Sequence, residues 1–365
     1  MAASGYRARH GGRAREARIG GMRTGGRRVF SNDIAIDLGT ANTLVHLVGR
    51  GIVIDEPSVV AVSSRRGMRE MLAIGRQALA VAARSPEPIE LVRPLRDGVI
   101  ADFVATEEML RQFIRRARTT SGFRRPRILI CLPAGATPVE RRAVHETAAS
   151  AGAREVLMLE EPVAAAVGLG LGMDDEEPAL VVDMGGGTTD IAVLAGGEII
   201  ESRSIRIAGN AMDEAISRHV RRMHQVIIDD ESAERIKIEA GSAGAVNGSR
   251  AEVRIRGRDI RYGHDKEVVL GPGEVGLALG APIGELAEFI VRTLEDLEPQ
   301  VSGPIAERGI HLTGGGALLD RLDAELQRQV GVPFHVPPAP MHCVIRGTAA
   351  VLQDLDDHRH LLIRP

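Results

Sequence analysis

The sequence predicts an α/β fold made of two related halves, and three features lead to this prediction. Apolar runs typical of buried strands alternate along the chain with segments that carry helical periodicity and capping signals. With 365 residues, the chain exceeds the size that one hydrophobic core usually serves. A strand–turn–strand pattern also occurs twice. Its repeated positions are Asp37, Leu38, Gly39 and Thr43 in the first copy and Asp183, Met184, Gly185 and Thr189 in the second.

The first elements after the N-terminal segment are predicted to be extended. Residues 34–48 have the pattern of strand, tight turn and strand, and residues 51–62 add two extended pieces that break at Pro57. A long helix is expected over 106–118, with Thr106 as its N-cap and with acidic residues that favour the positive end of the helix dipole.

A strand–helix–strand–helix series is predicted next. Residues 127–133 form a continuous apolar run, typical of a strand that is covered on both faces. Residues 137–152 carry a threonine cap, an early proline, a glutamate three residues after the cap and a terminal glycine, which together predict a helix. The strand over 155–162 leads into an alanine-rich helix, so Glu160 and Glu161 should stand at a strand end, where α/β folds place their ligands.

The second half is predicted to contain helices over 211–228 and 231–243. Residues 251–260 alternate apolar and charged side chains, as a half-exposed strand does. A further helix is expected over 282–298. The segment 309–331 combines a strand, three consecutive glycines and an amphipathic helix, which places another glycine turn at a strand end.

Charge is unevenly distributed along the chain. The net charge is −3, yet the first thirty residues hold eight arginines and a single glutamate. We expect residues 1–30 to be a basic, disordered tail, either an ordinary extension or one that contacts anionic lipid, unless translation begins at Met22. Aromatic residues make up only 2% of the chain and tryptophan is absent, so base stacking on nucleic acid is not expected.

The sequence shows no targeting or membrane-spanning pattern. No window approaches about 18 uninterrupted apolar residues, and the N-terminal segment lacks the apolar region of a secretory signal. Cys131 and Cys343 are isolated among apolar neighbours, so two buried thiols are expected rather than a disulfide or a metal site. The histidines have no zinc-binding spacing. These features predict a cytoplasmic protein.

Three glycine clusters are candidates for binding phosphate. Residues 185–187 lie in the second copy of the repeated turn, and glycine lets backbone amides approach an anion without obstruction by a side chain. Asp37 and Asp183 begin the two turns, where a carboxylate can hold Mg²⁺ through water. A third cluster, at 314–316, precedes a helix whose start can also approach a nucleotide. Because the chain has neither GxxxxGK[ST] nor a GxGxxG that opens a helix, the two turns are predicted to clamp one polyphosphate from opposite sides.

Nine stretches, in this order, carry a resemblance to a known family. They are "IDLGTANTLV", "EPSVVAV", "RPLRDGVIADF", "LPAGATPVERRAV", "EEPVAAAVG", "VVDMGGGTTDIAV", "RIAGNAMDEAI", "AERIKIE" and "ERGIHLTGGGALL". Between about Ser31 and Leu352 the chain resembles the bacterial actin homologue MreB and its Mbl paralogues, whose ATPase superfamily also includes actin, Hsp70 and the sugar kinases.

The resemblance implies an actin-like ATPase fold of two related lobes, each with a mixed core sheet flanked by helices and with a smaller inserted subdomain. Lobe I is expected to comprise 31–165 and 335–365, with an insert at about 53–96. Lobe II is expected over 166–334, with an insert at about 208–272. ATP and Mg²⁺ would lie in the cleft between the lobes.

The resemblance also assigns roles to individual residues. Glu161 is expected to orient the attacking water with the help of Thr188, while Asp37 and Asp183 hold Mg²⁺ through water. Such roles suit phosphoryl transfer, which depends mainly on positioning and electrostatic stabilisation. The predicted nucleotide-binding residues are Asp37, Gly39, Thr40, Ala41, Asn42, Asp183, Gly185, Gly186, Gly187, Thr188, Gly209, Glu234, Arg235, Ile236, Lys237, Gly314, Gly315, Gly316, Ala317 and Leu318.

Two places depart from the pattern of the family. Asn210 stands where the family has an acidic residue near the nucleotide. The loop that inserts into the membrane in the family reads "TTSGFRRP" here, with Phe123 as its only large apolar side chain. Membrane docking is therefore expected to be weaker or to depend on charge.

The function implied is that of an ATP-dependent filament protein at the inner face of the plasma membrane, with slow Mg²⁺-dependent ATP hydrolysis. Head-to-tail subunits would form filaments that organise cell-wall synthesis and cell shape. The expected partners are further copies of the chain, proteins of wall synthesis or cell shape, and the membrane, contacted through the Arg-rich tail and the Phe123 loop. Nucleic acid is not an expected partner.

Three alternatives remain open at the level of sequence. The first is a nucleotide-binding scaffold that does not polymerise or hydrolyses ATP poorly. The second is an Hsp70-like chaperone, which would carry a substrate-binding domain after the ATPase unit, where this sequence ends at Pro365. The third is a small-molecule kinase, which would need a carboxylate that faces a sugar pocket.

Overall fold

The computed structural model describes residues 33–65, 68–85, 88–118, 125–171, 177–244 and 251–364. The Arg-rich tail and Phe123 lie outside these residues. Two five-stranded sheets with flanking helices make up most of the described chain, and smaller sheets are inserted into it. The predicted α/β class is confirmed.

Strands and helices follow one another in the order expected of an α/β chain. The strands are β1 (Ile34–Leu38), β2 (Asn42–Leu47), β3 (Gly51–Pro57), β4 (Val60–Arg65), β5 (Met68–Ile74), β6 (Glu90–Val92), β7 (Leu95–Arg96), β8 (Val99–Ile100), β9 (Arg127–Leu132), β10 (Glu155–Glu160), β11 (Ala179–Met184), β12 (Thr189–Ala195), β13 (Glu198–Ile205), β14 (Val226–Ile227), β15 (Val253–Asp259), β16 (Asp265–Leu270), β17 (Ile310–Thr313) and β18 (Phe334–His335). The helices are α1 (Arg76–Arg84), α2 (Phe103–Ala117), α3 (Pro138–Ser150), α4 (Glu161–Leu169), α5 (Gly209–His224), α6 (Asp230–Ala240), α7 (Pro272–Asp296), α8 (Pro299–Arg308), α9 (Leu322–Val330) and α10 (Cys343–Gln353).

The two large sheets repeat one topology. The first has the strand order β10–β9–β1–β2–β3, and the second has the order β18–β17–β11–β12–β13. In each sheet the first three strands of that order are parallel and the last two are antiparallel additions. The hairpins even close at equivalent pairs, Leu38 with Thr43 and Met184 with Thr189. The predicted relation between the two halves is therefore confirmed.

Smaller sheets extend each half. Strands β4, β5 and β6 form a three-stranded antiparallel sheet between β3 and α2, followed by the short β7–β8 hairpin. Strands β14, β15 and β16 form a second three-stranded sheet between α5 and α7. The limits expected for the two lobes and for their inserts remain predictions.

Two helices pack between the large sheets. Side chains of α4 and α10 share one buried apolar cluster with Leu129 of the first sheet and Val181 of the second. The two helices approach so closely that a Cβ on Gly347 would lie 1.7 Å from the Ala164 carbonyl oxygen. A Cβ on Gly168 would likewise lie 2.2 Å from the Cys343 carbonyl oxygen. Glycine at both positions lets the helix backbones touch.

Helix α2 begins earlier than predicted. The Asp102 carboxylate accepts a hydrogen bond from the Ala105 amide at 3.0 Å and caps the helix. The prediction of Thr106 as the cap is wrong, because its hydroxyl is buried and donates to the Asp102 carbonyl at 2.8 Å. Phe103 and Val104 are exposed apolar residues, which hid the true start of the helix from the periodicity.

The predicted helices of the second half also change at their ends. Helix α7 starts at Pro272 rather than at 282, and Pro282 lies inside it, where a proline normally marks a boundary. Helix α5 ends at His224, since the residues predicted as its last turn form β14. Helix α8 was not predicted. Elsewhere, α3 has the predicted capping box at Thr137.

Cys131 and Cys343 are both buried free thiols, as predicted. The Cys131 sulfur lies 2.8 Å from the Thr348 hydroxyl of α10. Within the part of the chain that the structure describes, no helix combines the length and apolar character needed to cross a membrane.

Candidate functional site

A cavity of about 350 Å³ collects residues from both halves of the chain. Most of the residues predicted to bind a nucleotide or to act in hydrolysis line it, although they come from segments as far apart as Asp37 and Leu318. They are Asp37, Gly39, Thr40, Ala41, Asn42, Glu161, Asp183, Gly185, Gly186, Gly187, Thr188, Gly209, Glu234, Lys237, Gly314, Gly315, Gly316 and Leu318.

Three of the predicted residues do not line the cavity. Ile236 and Ala317 are buried in the apolar core of the second half. Arg235 points away, and its guanidinium donates to the Arg254 carbonyl at 3.1 Å. Position 235 follows Glu234 on α6, where successive residues face different directions. A contiguous motif on a helix therefore marks only part of a site.

The first turn, between β1 and β2, is held in shape by Ser58. The Ser58 hydroxyl donates to the Gly39 carbonyl at 2.7 Å, and the Ser58 amide donates to the Ala41 carbonyl at 2.9 Å. A Cβ on Gly39 would lie 2.6 Å from the Asn42 carbonyl oxygen, so this tight turn excludes a side chain there. With its carbonyls occupied from outside, the turn can present amides and the Thr40 hydroxyl to the cavity.

The second turn, between β11 and β12, is closed by the Gly185 amide, which donates to the Thr188 carbonyl at 2.9 Å. The start of α5 packs beneath it, where the Asn210 amide donates to the Gly186 carbonyl at 2.7 Å. A Cβ on Gly187 would lie 2.8 Å from the Thr40 hydroxyl oxygen of the first turn. None of the three glycines of this turn has a positive φ. Close approach excludes a side chain at Gly187 and crowds one at Gly186, where a Cβ would lie 3.0 Å from the Ala41 Cβ, whereas a Cβ on Gly185 would come no closer than 3.4 Å to another atom.

The β7–β8 hairpin contacts both turns, a contact that sequence reasoning missed. Its tip is Asp97 and Gly98, with φ values of 49° and 76°. The Gly98 amide donates to the Thr40 hydroxyl at 3.1 Å. A Cβ on Gly98 would lie 3.1 Å from the Thr188 methyl carbon. The sequence does contain a signal for this hairpin, because an Asp–Gly pair between two short extended segments favours a two-residue hairpin turn.

Several carboxylates lie around the two turns, where Asp183 is buried and Asp37 and Glu161 are half-buried. Burial, together with the charge of Asp183, raises the pKa of Asp37 to about 8. Burial raises the pKa of Asp183 to about 6, although the Thr313 hydroxyl donates to it at 2.6 Å and opposes the rise. Burial, and then the charges of Asp190, Asp37 and Asp183, raise the pKa of Glu161. This concentration of buried negative charge favours a proton or a cation.

The far end of the cavity combines an ion pair with apolar side chains. Lys237 lies 2.8 Å from the Asp213 carboxylate and donates to the Gly209 carbonyl at 3.0 Å. Glu234 lies 3.9 Å from Arg93, which follows β6. The lining residues that were not among the predicted nucleotide-binding or catalytic residues are Leu38, Leu44, Gly98, Asn210, Met212, Ile238, Leu319, Met341 and Val344. Seven of these nine residues have apolar side chains, which suit contact with a flat organic ring.

Two copies of one sheet topology, with a cavity walled by a glycine turn from each, define a fold of the actin-like class. Comparison with solved structures agrees. MreB5 of Spiroplasma citri bound to AMPPNP has a TM-score of 0.83 and 32% identity, and the match covers 91% of this chain and 99% of that one. The MamK double helical filament has a TM-score of 0.76 over 88% of this chain and 99% of that one, and at 21% identity it supports the fold alone.

The chain belongs to the MreB/Mbl family, because the family model described as "MreB/Mbl protein" matches residues 31–360. It is 45% identical to the cell shape-determining protein MreB of Escherichia coli K12 over 335 residues, which cover 91% of this chain and 96% of the relative. It is 41% identical to the cell shape-determining protein Mbl of Bacillus subtilis 168 over 328 residues, which cover 90% of this chain and 98% of the relative.

Proposed function

We propose that this chain is an ATP-dependent, actin-like filament protein that determines cell shape by organising cell-wall synthesis. One observation carries the proposal: two related glycine turns face each other across a cavity that is also lined by the carboxylates of Asp37, Asp183 and Glu161. A polyphosphate suits this arrangement, because amides and hydroxyls are offered from both sides without side chains in the way. Solved relatives bound to AMPPNP and to ADP support the choice of ligand.

We expect the chemistry of the two ends of the cavity to decide how the nucleotide is oriented. The phosphates would lie between Thr40 and Gly187, where the turns approach, and the base would lie against the apolar residues near Leu318. Lys237 is fixed by Asp213 and the Gly209 carbonyl, so its side chain is positioned before any ligand enters. Preorganisation of this kind reduces the entropy lost on binding.

The donor set fits Mg²⁺. Asp37 and Asp183 offer the hard carboxylate oxygens that this ion prefers, and burial, followed by the charge of a neighbouring carboxylate, raises the pKa of each. Among the described residues, no three His, Cys, Asp or Glu side chains are arranged as a set of direct ligands. We infer that the two aspartates would hold the ion through water. The ion would neutralise phosphate charge as the reaction proceeds.

For hydrolysis, Glu161 and Thr188 would orient the attacking water. Glu161 opens α4 directly after β10, Thr188 closes the second turn directly before β12, and both line the cavity. Phosphoryl transfer needs an aligned nucleophile more than it needs a strong base, so two positioned oxygens suffice for slow turnover.

Phosphate release distinguishes this proposal from a scaffold that binds nucleotide without hydrolysing it. We expect Glu161→Ala to lower the rate at saturating Mg-ATP by about tenfold or more, with little change in affinity for ATP. Equal rates in the parent and in Glu161→Ala would reject Glu161 as a catalytic residue. No measurable rate in the parent would favour the scaffold.

We also propose a peripheral location at the inner face of the plasma membrane. The support is the excess of arginine in residues 1–30, since each basic residue near an anionic surface contributes about 1 kcal/mol of attraction. The full chain should sediment with vesicles that contain anionic lipid, and a variant that begins at Met22 should do so more weakly. Equal sedimentation of the two would remove the role of the tail.

A further inference from the structure

Two buried carboxylates, Asp190 and Glu160, each take part in a hydrogen bond between the two large sheets. Both are close in sequence to the proposed hydrolysis residues. Asp190 lies on β12 of the second sheet, is fully buried, and accepts a hydrogen bond from the Ala134 amide at 2.8 Å. Ala134 follows β9 of the first sheet. The bond therefore runs from one sheet to the other.

Glu160 makes the reciprocal connection. It ends β10 of the first sheet, is 9% exposed, and accepts a hydrogen bond from the Ser202 hydroxyl of β13 at 2.5 Å. Each sheet thus contributes one buried carboxylate to a group on the other sheet. Hydrogen bonds to buried carboxylates are charge-assisted and are directional, so they fix relative position well.

The two bonds are placed next to the residues that would act on water. Glu160 immediately precedes Glu161, and Asp190 follows Thr188 by two positions. The hydroxyls of Ser204 and Thr188 also lie close to Asp190, and they oppose the rise of its pKa to about 6 that burial causes. A shift of either carboxylate would therefore move one member of the Glu161–Thr188 pair relative to the other.

The surrounding backbone leaves little freedom for such a shift. A Cβ on Gly135, next to Ala134, would lie 2.8 Å from the Ser204 Cβ of β13. The loop after β9 is thus pressed against the second sheet beside the Asp190 bond. Contact at the loop and hydrogen bonds at both carboxylates form one continuous connection between the sheets.

We propose that Asp190 and Glu160 are positioning residues, which set the distance between Glu161 and Thr188 by joining the two sheets. This inference rests on the proposed hydrolysis of ATP. Neither carboxylate is among the residues that line the cavity. Their removal should therefore reduce turnover while nucleotide binding remains.

The test measures phosphate release at saturating Mg-ATP and the Kd for ATP in the full chain. Asp190→Ala removes the acceptor for Ala134, and Ser202→Ala removes the donor to Glu160. Asp190→Asn keeps an amide oxygen where Oδ1 stands. Thr147→Ala is the matched control, because it also deletes a hydroxyl that donates a hydrogen bond, here to the Ala143 carbonyl of α3 at 2.7 Å, and Thr147 does not line the cavity.

We expect Asp190→Ala to release phosphate about tenfold to a hundredfold more slowly, since small displacements of aligned groups have effects of this size. Ser202→Ala should also release phosphate more slowly than Thr147→Ala does. The Kd of every variant for ATP should stay within about threefold of the parental value. Asp190→Asn should recover most of the parental rate. A purely structural role would not give this separation of turnover from binding, or rescue by asparagine.

Three results would overturn the inference: a parental rate in Asp190→Ala, a loss of ATP affinity in proportion to the loss of rate, or no rescue by Asp190→Asn. If Asp190→Ala does not fold, Ser202→Ala decides, and a rate equal to that of Thr147→Ala overturns the inference. Failure of the proposed function is distinct, because Glu161→Ala would then match the parent.

Discussion

Gly187 lies so close to Asp97 that a Cβ on the glycine would sit 2.6 Å from the Asp97 Cα. The contact joins the second glycine turn to the tip of the β7–β8 hairpin, which also donates from the Gly98 amide to the Thr40 hydroxyl of the first turn. Three separate segments of the chain therefore meet at one point of the cavity. A side chain at this point would separate the turns that are proposed to hold phosphate.

Gly187→Ala should lower the affinity for ATP by at least about tenfold, because the backbone neighbours of the new methyl group cannot move aside as a flexible side chain would. Titration with a fluorescent ATP analogue measures the change. Gly284→Ala is the control, since a Cβ there meets nothing within 4 Å. Unchanged affinity in Gly187→Ala would contradict the close packing of the turns.

Gly347→Ala should destabilise the fold by about 3 kcal/mol or more, because its methyl group would overlap the Ala164 carbonyl and force α4 and α10 apart. Denaturant unfolding measures the effect. Gly284→Ala, in the open interior of α7, should instead stabilise by about 0.5–1 kcal/mol through helix propensity. Similar stabilities of the two variants would refute the contact between the helices.

The ligand-free protein should respond to pH through Asp37. Because its pKa is raised from 3.8 to about 8 by burial and by Asp183, the folded state binds this proton more tightly than the unfolded state does. The resulting stability is fully present below about pH 4 and is lost as the pH rises through about 8. Asparagine at position 37 cannot titrate and should escape this loss.

Asp37→Asn should therefore gain stability relative to the parent by at least about 1 kcal/mol between about pH 6 and about pH 9. Urea unfolding at the two pH values measures the difference, with Asp55→Asn as a control at a partly exposed aspartate that does not line the cavity. If the difference in stability between Asp37→Asn and the parent does not change with pH, the raised pKa of Asp37 is contradicted.

Sequence reasoning identified the repeated turn because Asp, Gly and Thr recur at the same spacing before equivalent strands. The structure explains the common spacing, since Leu38 pairs with Thr43 and Met184 pairs with Thr189 at the ends of equivalent hairpins. It missed the Asp97–Gly98 tip, since nothing local reveals that a short hairpin contacts residues nearly a hundred positions away. It also assigned Ile236 to the ligand although that side chain faces the core. Both the hairpin tip and Ile236 can be assigned only from contacts between segments that are distant in the sequence.

Polymerisation tests the central claim most directly. Purified full-length chain, examined by negative-stain electron microscopy at high concentration, should form filaments with Mg-ATP, and Gly187→Ala should form far fewer under the same conditions. Sedimentation gives the polymer fraction independently. Filaments that depend on ATP in the parent are the predicted result. Monomers alone in the parent, with ATP bound, would contradict the account.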